Sequence, residues 1–375
     1  MTHPKVQQLE VFRVACQGPG DLSGVQALID QGALQPQDIV AVMGKTEGNG
    51  CVNDFTRDFA SSSWCHFLGP HLGCAPEAVA QRVALVMSGG TEGVLAPHFT
   101  VFCRRWVEAP PAKPDTKRLV LGIAHTREFW PEEIGRPEQM TCTAAAVAEA
   151  MRDAGIVSPA DVHFVQIKCP LLTAAKVNDA LQRGQVPVTH DSYESMGYSR
   201  GASALGVALA LGEVAPADIE ETSLLSDWSL YSSRASASAG IELEGNVVIV
   251  LGEALGATSA YRIAHTSMQD AIDGRSVRRM LQDHFGLDLD ADRTAASPTL
   301  VNLFAKAEAS PSGRVRGERH TMLNDSDINA TRHARAAVGA VLAAVAGSTA
   351  LYVSGGAEHQ GPAGGGPVAA IVRVG

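Results

Sequence analysis

Three serine-bearing turns recur along the 375-residue chain with one spelling. Ser88-Gly89-Gly90-Thr91-Glu92, Ser238-Ala239-Gly240-Ile241-Glu242 and Ser354-Gly355-Gly356-Ala357-Glu358 all read S-[GA]-G-x-E. A lysine precedes each turn at the end of an apolar run: Lys45 after DIVAVMG, Lys168 after VHFVQI and Lys306 after LVNLFA. Between lysine and serine stands an arginine opening a helical stretch: Arg57 in DFTRDFA, Arg200 in GYSRGASALG, and Arg332 or Arg335 in ATRHARAAVG. Taken singly, these residues read as turn composition and solvated charge. Solvation does not explain why they repeat in step. If three units pack around a common axis, the three sets converge on one cavity that offers cations, hydroxyls and backbone N–H groups to a small oxygen-rich ligand. Burial beside other cations lowers a lysine pKa, and a neutral lysine can take the proton that makes serine a nucleophile.

The elements that must position these residues repeat as well. Ala27 to Lys45 aligns with Ala150 to Lys168 without a gap. Ala27/Ala150, Asp30/Asp153, Gly32/Gly155, Pro36/Pro159, Asp38/Asp161, Val42/Val165 and Lys45/Lys168 are identical. Each segment reads as a helix end, a glycine cap, a proline turn and a buried strand ending on lysine. LVNLFAK repeats the strand and its lysine, and VFRVACQ, LGIAHTRE and YRIAHTSM mark three unit starts. The fold class is therefore α/β, in three homologous repeat units: 1–108, 117–253 and 258–375. Linkers are expected at the Pro-rich 109–116 and near 253–259.

Composition limits the partners. Thirty Lys and Arg against forty Asp and Glu leave a net charge of −10, which gives nucleic acid and anionic membranes no general attraction. Aromatics at 5% argue against a base-stacking platform, while 37 glycines imply many close backbone approaches. The N-terminus lacks a signal-peptide core, and the run from Ala336 to Val353 reads as a helix followed by a strand rather than a membrane span. Seven cysteines without a CxxC indicate reduced thiols and a cytoplasmic setting. Gly44-Lys45-Thr46 imitates a phosphate loop, but position 39, where that motif needs glycine, is Ile39. Cys65, His66, His71 and Cys74 have zinc-like composition without the usual ligand spacing, and read better as core thiols and surface imidazoles.

GKTEGNG (44–50), MSGGTEGVLAPH (87–98), SSRASASAGIEL (232–243) and VSGGAEHQGPAGGGPVA (353–369) resemble the cyanuric acid hydrolase and barbiturase family of cyclic amidohydrolases. The likeness covers essentially the whole chain. It implies pseudo-threefold symmetry around a central barrel-like core, a homotetramer, and hydrolytic opening of a cyclic ureide: cyanuric acid to carboxybiuret, then biuret and CO2. Within the family the alternative is opening of barbituric acid to ureidomalonate; outside it, a non-catalytic protein that binds a small anion. The resemblance makes Ser238 the nucleophile and Lys168 its base. It assigns Lys45, Arg57, Ser88, Gly89, Arg200, Ala239, Lys306, Ser354 and Gly355 to substrate binding, together with a third-unit arginine. The internal pattern favours Arg332 for that role, and family spacing favours Arg335. No cofactor is implied for the chemistry. A structural Mg2+ or Ca2+ is implied near the C-terminus, on Glu308 and mostly backbone oxygens around Ala357, Gln360, Gly361, Pro362 and Gly365.

Overall fold

Apolar strands alternating with amphipathic helices demand layers, and the chain builds the same layer three times. The computed structural model describes residues 5–108, 117–287, 289 and 299–374. The first expected linker, 109–116, lies outside them. The first stretch runs β1 (Lys5–Ala15), α1 (Ser23–Asp30), β2 (Ile39–Thr46), α2 (Phe55–Leu72), α3 (Pro76–Val79), β3 (Ala84–Gly89) and β4 (His98–Glu108). The second runs β5 (Lys117–His125), α4 (Pro137–Ala154), β6 (Val162–Pro170), α5 (Ala174–Gln182), α6 (Ser192–Leu211), β7 (Ala235–Gly240) and β8 (Val247–Leu255). The third runs β9 (Tyr261–Met268), α7 (Gly274–Phe285), β10 (Thr299–Ala307), the two-residue strands β11 (Arg314–Val315) and β12 (Glu318–Arg319), α8 (Ala330–Ala346), β13 (Tyr352–Gly355) and β14 (Gly366–Arg373). Residues 253–255, expected in a linker, belong to β8.

The three sheets have the orders β1-β4-β2-β3, β5-β8-β6-β7 and β9-β14-β10-β13. In each, the strand bearing the lysine pairs in parallel with the strand bearing the serine, and antiparallel with the last strand of its unit. The aligned repeat folds alike in both copies: Gly32 and Gly155 take φ of 70° and 72° after their helices, and Pro36 and Pro159 each begin a 3₁₀ turn. Glycine suits both positions because φ there is left-handed.

Strands buried on both faces need near-continuous apolar runs, and β2 shows the reason. Ala41 and Met43 face a central core shared by all three sheets, while Ile39 and Val42 face the outer helices. In that centre Phe304 of the third unit meets Phe102 of the first at 6.4 Å and Phe164 of the second at 5.6 Å, ring centre to ring centre. Outside, Trp64 and Leu68 cover the first sheet, Val147 and Val207 the second, and Val338 and Leu342 the third. Among the described residues no helix is long and apolar enough to cross a membrane. The run from Ala336 to Val353 divides between α8 and β13.

Candidate active site

Parallel register brings each lysine beside its serine: Lys45 opposite Ser88, Lys168 opposite Ser238, and Lys306 opposite Ser354. Neighbours across a strand pair share a face, so each lysine reaches along the same surface as its serine. The three serines then meet. Ser88 Oγ donates to Ser354 Oγ at 3.2 Å, and the Ser238 and Ser354 hydroxyls lie 3.1 Å apart. Ser238, 8% exposed, is the most accessible of the three; Ser88 and Ser354 are 4% and 2% exposed.

Beneath the serines the lysines are fully enclosed. Lys45 Nζ donates to Ser88 Oγ at 3.3 Å, and Lys306 Nζ to Ser354 Oγ at 3.3 Å and the Gly355 carbonyl at 2.7 Å. Lys168 behaves differently. Its Nζ donates to the Met87 carbonyl at 3.0 Å and pairs with Glu242 at 3.3 Å, rather than bonding Ser238. Burial lowers all three lysines. Lys306 is pushed down to about 7 by burial and then by Arg200, whereas Glu242 opposes the fall at Lys168. Lys45 and Lys306, expected in substrate binding, are buried behind Ser88 and Ser354 and do not line the cavity.

The arginines come from helices, at three different depths. Arg57 lies in the first turn of α2, Arg335 in the second turn of α8 and Arg200 in the third turn of α6. Of the three arginines that line the cavity only Arg57 lies in the first turn of its helix, as Arg332 does in α8, so the expectation of a helix-opening arginine is corrected at Arg200. Arg335 reaches the cavity; Arg332, one turn earlier, lines an adjoining space with Asn49, Cys51, Tyr193 and Asn329. Two arginines are clamped by the glutamate of the neighbouring unit's serine motif. Arg200 donates to Glu358 at 2.8 and 2.6 Å, and Arg335 Nε to Glu92 at 2.7 Å with Nη2 on the other oxygen. Such forks fix a guanidinium more firmly than a single bond. These glutamates close all three serine motifs, and spacing alone does not reveal their partners.

The resulting cavity holds about 270 Å3 including its mouth, and is lined by Arg57, Ser88, Gly89, Arg200, Ser238, Ala239, Arg335, Ser354 and Gly355, with Gly50 and Met196 at its sides. Much of that space is open to solvent and the enclosed part is small, which leaves no room for a dinucleotide. A larger open groove lined by Arg127, Trp130, Glu133 and Lys176 contains none of the repeated residues, and its Arg127 is already paired with Glu133 at 2.6 Å. Lys45 of the phosphate-loop imitation is buried inside β2. Among the described residues no three His, Cys, Asp or Glu side chains are grouped to hold a metal, the Cys65–Cys74 set included.

Glu308 presents a different opportunity. Burial and the nearby Glu358 raise it to about 7, and its Oε1 accepts from Ala309 N at 2.9 Å. Gln360 spends its side chain on Ala237 N and the Gly356 and Glu358 carbonyls, which leaves only its backbone oxygen for a cation. The Ala357 and Pro362 carbonyls each accept one backbone N–H and retain a lone pair. A buried carboxylate and backbone carbonyl oxygens are the donor types that a hard divalent ion takes.

Residues 10–373 match the model of a family described as amidohydrolase ring-opening proteins. The cyanuric acid amidohydrolase of Pseudomonas sp. strain ADP is 61% identical over 369 residues, 97% of this chain and 99% of its own length. That of Bradyrhizobium diazoefficiens is 59% identical over 364 residues, with 97% and 98% covered. A solved cyanuric acid hydrolase described as an innovation by structural concatenation superposes with a TM-score of 0.93 at 61% identity, covering 98% of this chain and all of that one. The enzyme from A. caulinodans gives 0.87 at 51% identity, with 97% and 98% covered. With three superimposed Lys–Ser registers around one small cavity and matches of this length, the chain belongs to the ring-opening amidohydrolase family.

Proposed function

We propose that this protein hydrolyses cyanuric acid to carboxybiuret, with Ser238 as nucleophile and Lys168 as its base. The observation that carries the reading is the threefold set of serine, lysine and arginine around one small cavity, which matches a substrate with three like edges. The ring lies among Arg57, Arg200 and Arg335, which bind its carbonyl edges. Lys168 as free amine takes the Ser238 proton while Oγ bonds a ring carbonyl carbon. The displaced electron pair on oxygen is met by cationic and backbone N–H donors. Collapse breaks the ring C–N bond, Nζ returns the proton to the leaving nitrogen, and water then cleaves the acyl-serine to a carboxylate. The 3.1 Å contact between Ser238 and Ser354 supports a shared hydroxyl network at the attacking atom.

Because the amine form acts and burial lowers Lys168, rate rises with pH through a value below the ordinary lysine range. A profile with no acid limb below the ordinary lysine range would contradict the base assignment. Lys306 offers a second reading, since it bonds Ser354 directly and is pushed down to about 7. Serine variants separate the two.

Glu308 and the backbone oxygens of Ala357, Gln360, Gly361, Pro362 and Gly365 would hold Mg2+ or Ca2+, which supplies charge compensation and not chemistry. Chelation is expected to lower Tm by several degrees, with recovery on adding either ion; a Tm indifferent to both would remove the metal from the account. Seven free cysteines support a reducing, cytoplasmic setting. The same reading carries a homotetramer, which light scattering of the purified protein tests.

A further inference from the structure

The three serine motifs end on glutamates, and a threefold pattern dictates where each should go. Arg335 of the third unit takes Glu92 of the first, and Arg200 of the second takes Glu358 of the third. By rotation Arg57 of the first unit should take Glu242 of the second. It does not. Arg57 donates to the Ala239 carbonyl at 3.1 Å and the Cys51 carbonyl at 2.7 Å, its Nε lies 3.9 Å from Asp54, and that Nε has no hydrogen-bond partner. Glu242 lies instead 3.3 Å from Lys168 Nζ.

The backbone records the same exchange independently. Gly90 and Gly356 follow their serine turns with φ of 103° and 75°, and a Cβ on either would strike the guanidinium of Arg335 or Arg200 at 2.6 or 2.5 Å. Gly240, the equivalent residue, remains in the strand without a left-handed φ, and a Cβ there would fall on the carboxylate of Glu242. In two units an arginine rests against this glycine; in the middle unit the glutamate does.

We propose that Glu242 is the positioning residue of a Ser238–Lys168–Glu242 triad, orienting the Lys168 amine and stabilising the ammonium formed when it takes the Ser238 proton. The proposal rests on Ser238 acting with Lys168 as described above. A base oriented by a third group is the general architecture of activated serine, and here the third group is a carboxylate diverted from a structural ion pair. The charged and titratable groups around Lys168 are Glu242, Arg57 and Cys169, with Asp54 beyond Arg57. Of these Glu242 is the nearest opposite charge. Its side chain is 35% exposed, so solvent screens part of its hold on the Lys168 ammonium.

The test compares pH profiles of kcat/KM for cyanuric acid turnover. Glu242→Gln removes the charge that favours the ammonium. Its plateau is expected to fall about 10–100-fold, and its acid limb to move about one unit to lower pH. Glu92→Gln, which loosens Arg335, should raise KM and leave the acid limb where it is. Glu242→Asp, which keeps the charge, should hold the acid limb nearer wild type than Gln does. An E242Q acid limb coincident with wild type, or an equal shift in E92Q, would overturn the proposal. Should E242Q fail to fold, Glu242→Ala takes its place: a folded E242A whose acid limb coincides with wild type would likewise overturn the proposal. Wild-type protein that leaves cyanuric acid intact would instead remove the catalytic reading itself, so the two failures are distinct.

Discussion

Ser238→Ala is expected to lower kcat by at least about 10⁴-fold while leaving the Kd for a non-hydrolysed ring analogue within a few-fold. Removing the attacking oxygen stops the reaction before any covalent intermediate. The cavity keeps Arg57, Arg200, Arg335 and the other two serines. Ser88→Ala and Ser354→Ala remove hydroxyl donors at the ring edges, and a loss of about 10²–10³-fold is the scale for one such donor. Ser354 is the informative comparison, because it bonds Lys306 directly and touches both other serines. If Ser354→Ala were inactive while Ser238→Ala kept a tenth of wild-type rate, the nucleophile would belong to the third unit. Single-turnover measurements with each variant decide the order.

Arg335→Ala is expected to affect stability and binding together. Its side chain is 3% exposed and forks onto Glu92, itself 21% exposed. Deleting one partner of a buried pair costs about 3–5 kcal/mol, because the other charge is stranded, and partial exposure of Glu92 places this pair near 3. Unfolding entropy of about 2.1 cal/mol/K per residue over 375 residues converts 3 kcal/mol into a Tm drop of about 4 °C. Adding Glu92→Gln to Arg335→Ala should recover part of that drop, since the stranded carboxylate is gone. KM should rise at least about tenfold. Arg332→Ala is the control: with no ion pair among the described residues and a place in the adjoining space, it should change Tm by about a degree or less. Equal effects of the two would return the third-unit arginine to doubt.

The threefold plan was legible because it is written locally. Strand, lysine and serine follow one another in each unit, and parallel pairing converts their order into the registers Lys45–Ser88, Lys168–Ser238 and Lys306–Ser354. The arginines were half legible. Their presence repeats, but α2, α6 and α8 begin at different distances from the cavity, so position within a helix misleads and only tertiary placement separates Arg335 from Arg332. The glutamates were visible as a repeated letter without a role, because each arginine–glutamate fork joins two units far apart in sequence. The asymmetry of the middle unit showed in the sequence as Ala239. Its larger expression, Glu242 on Lys168 and an altered turn at Gly240, depends on side-chain directions that spacing does not encode.

The most direct test of the central claim is turnover by the purified protein of cyanuric acid and barbituric acid side by side, with products followed by mass spectrometry. The account predicts catalytic loss of cyanuric acid with appearance of biuret and CO2, at a kcat/KM well above that for barbituric acid. Stoichiometric binding without product, or preferential opening of barbituric acid to ureidomalonate, would contradict it.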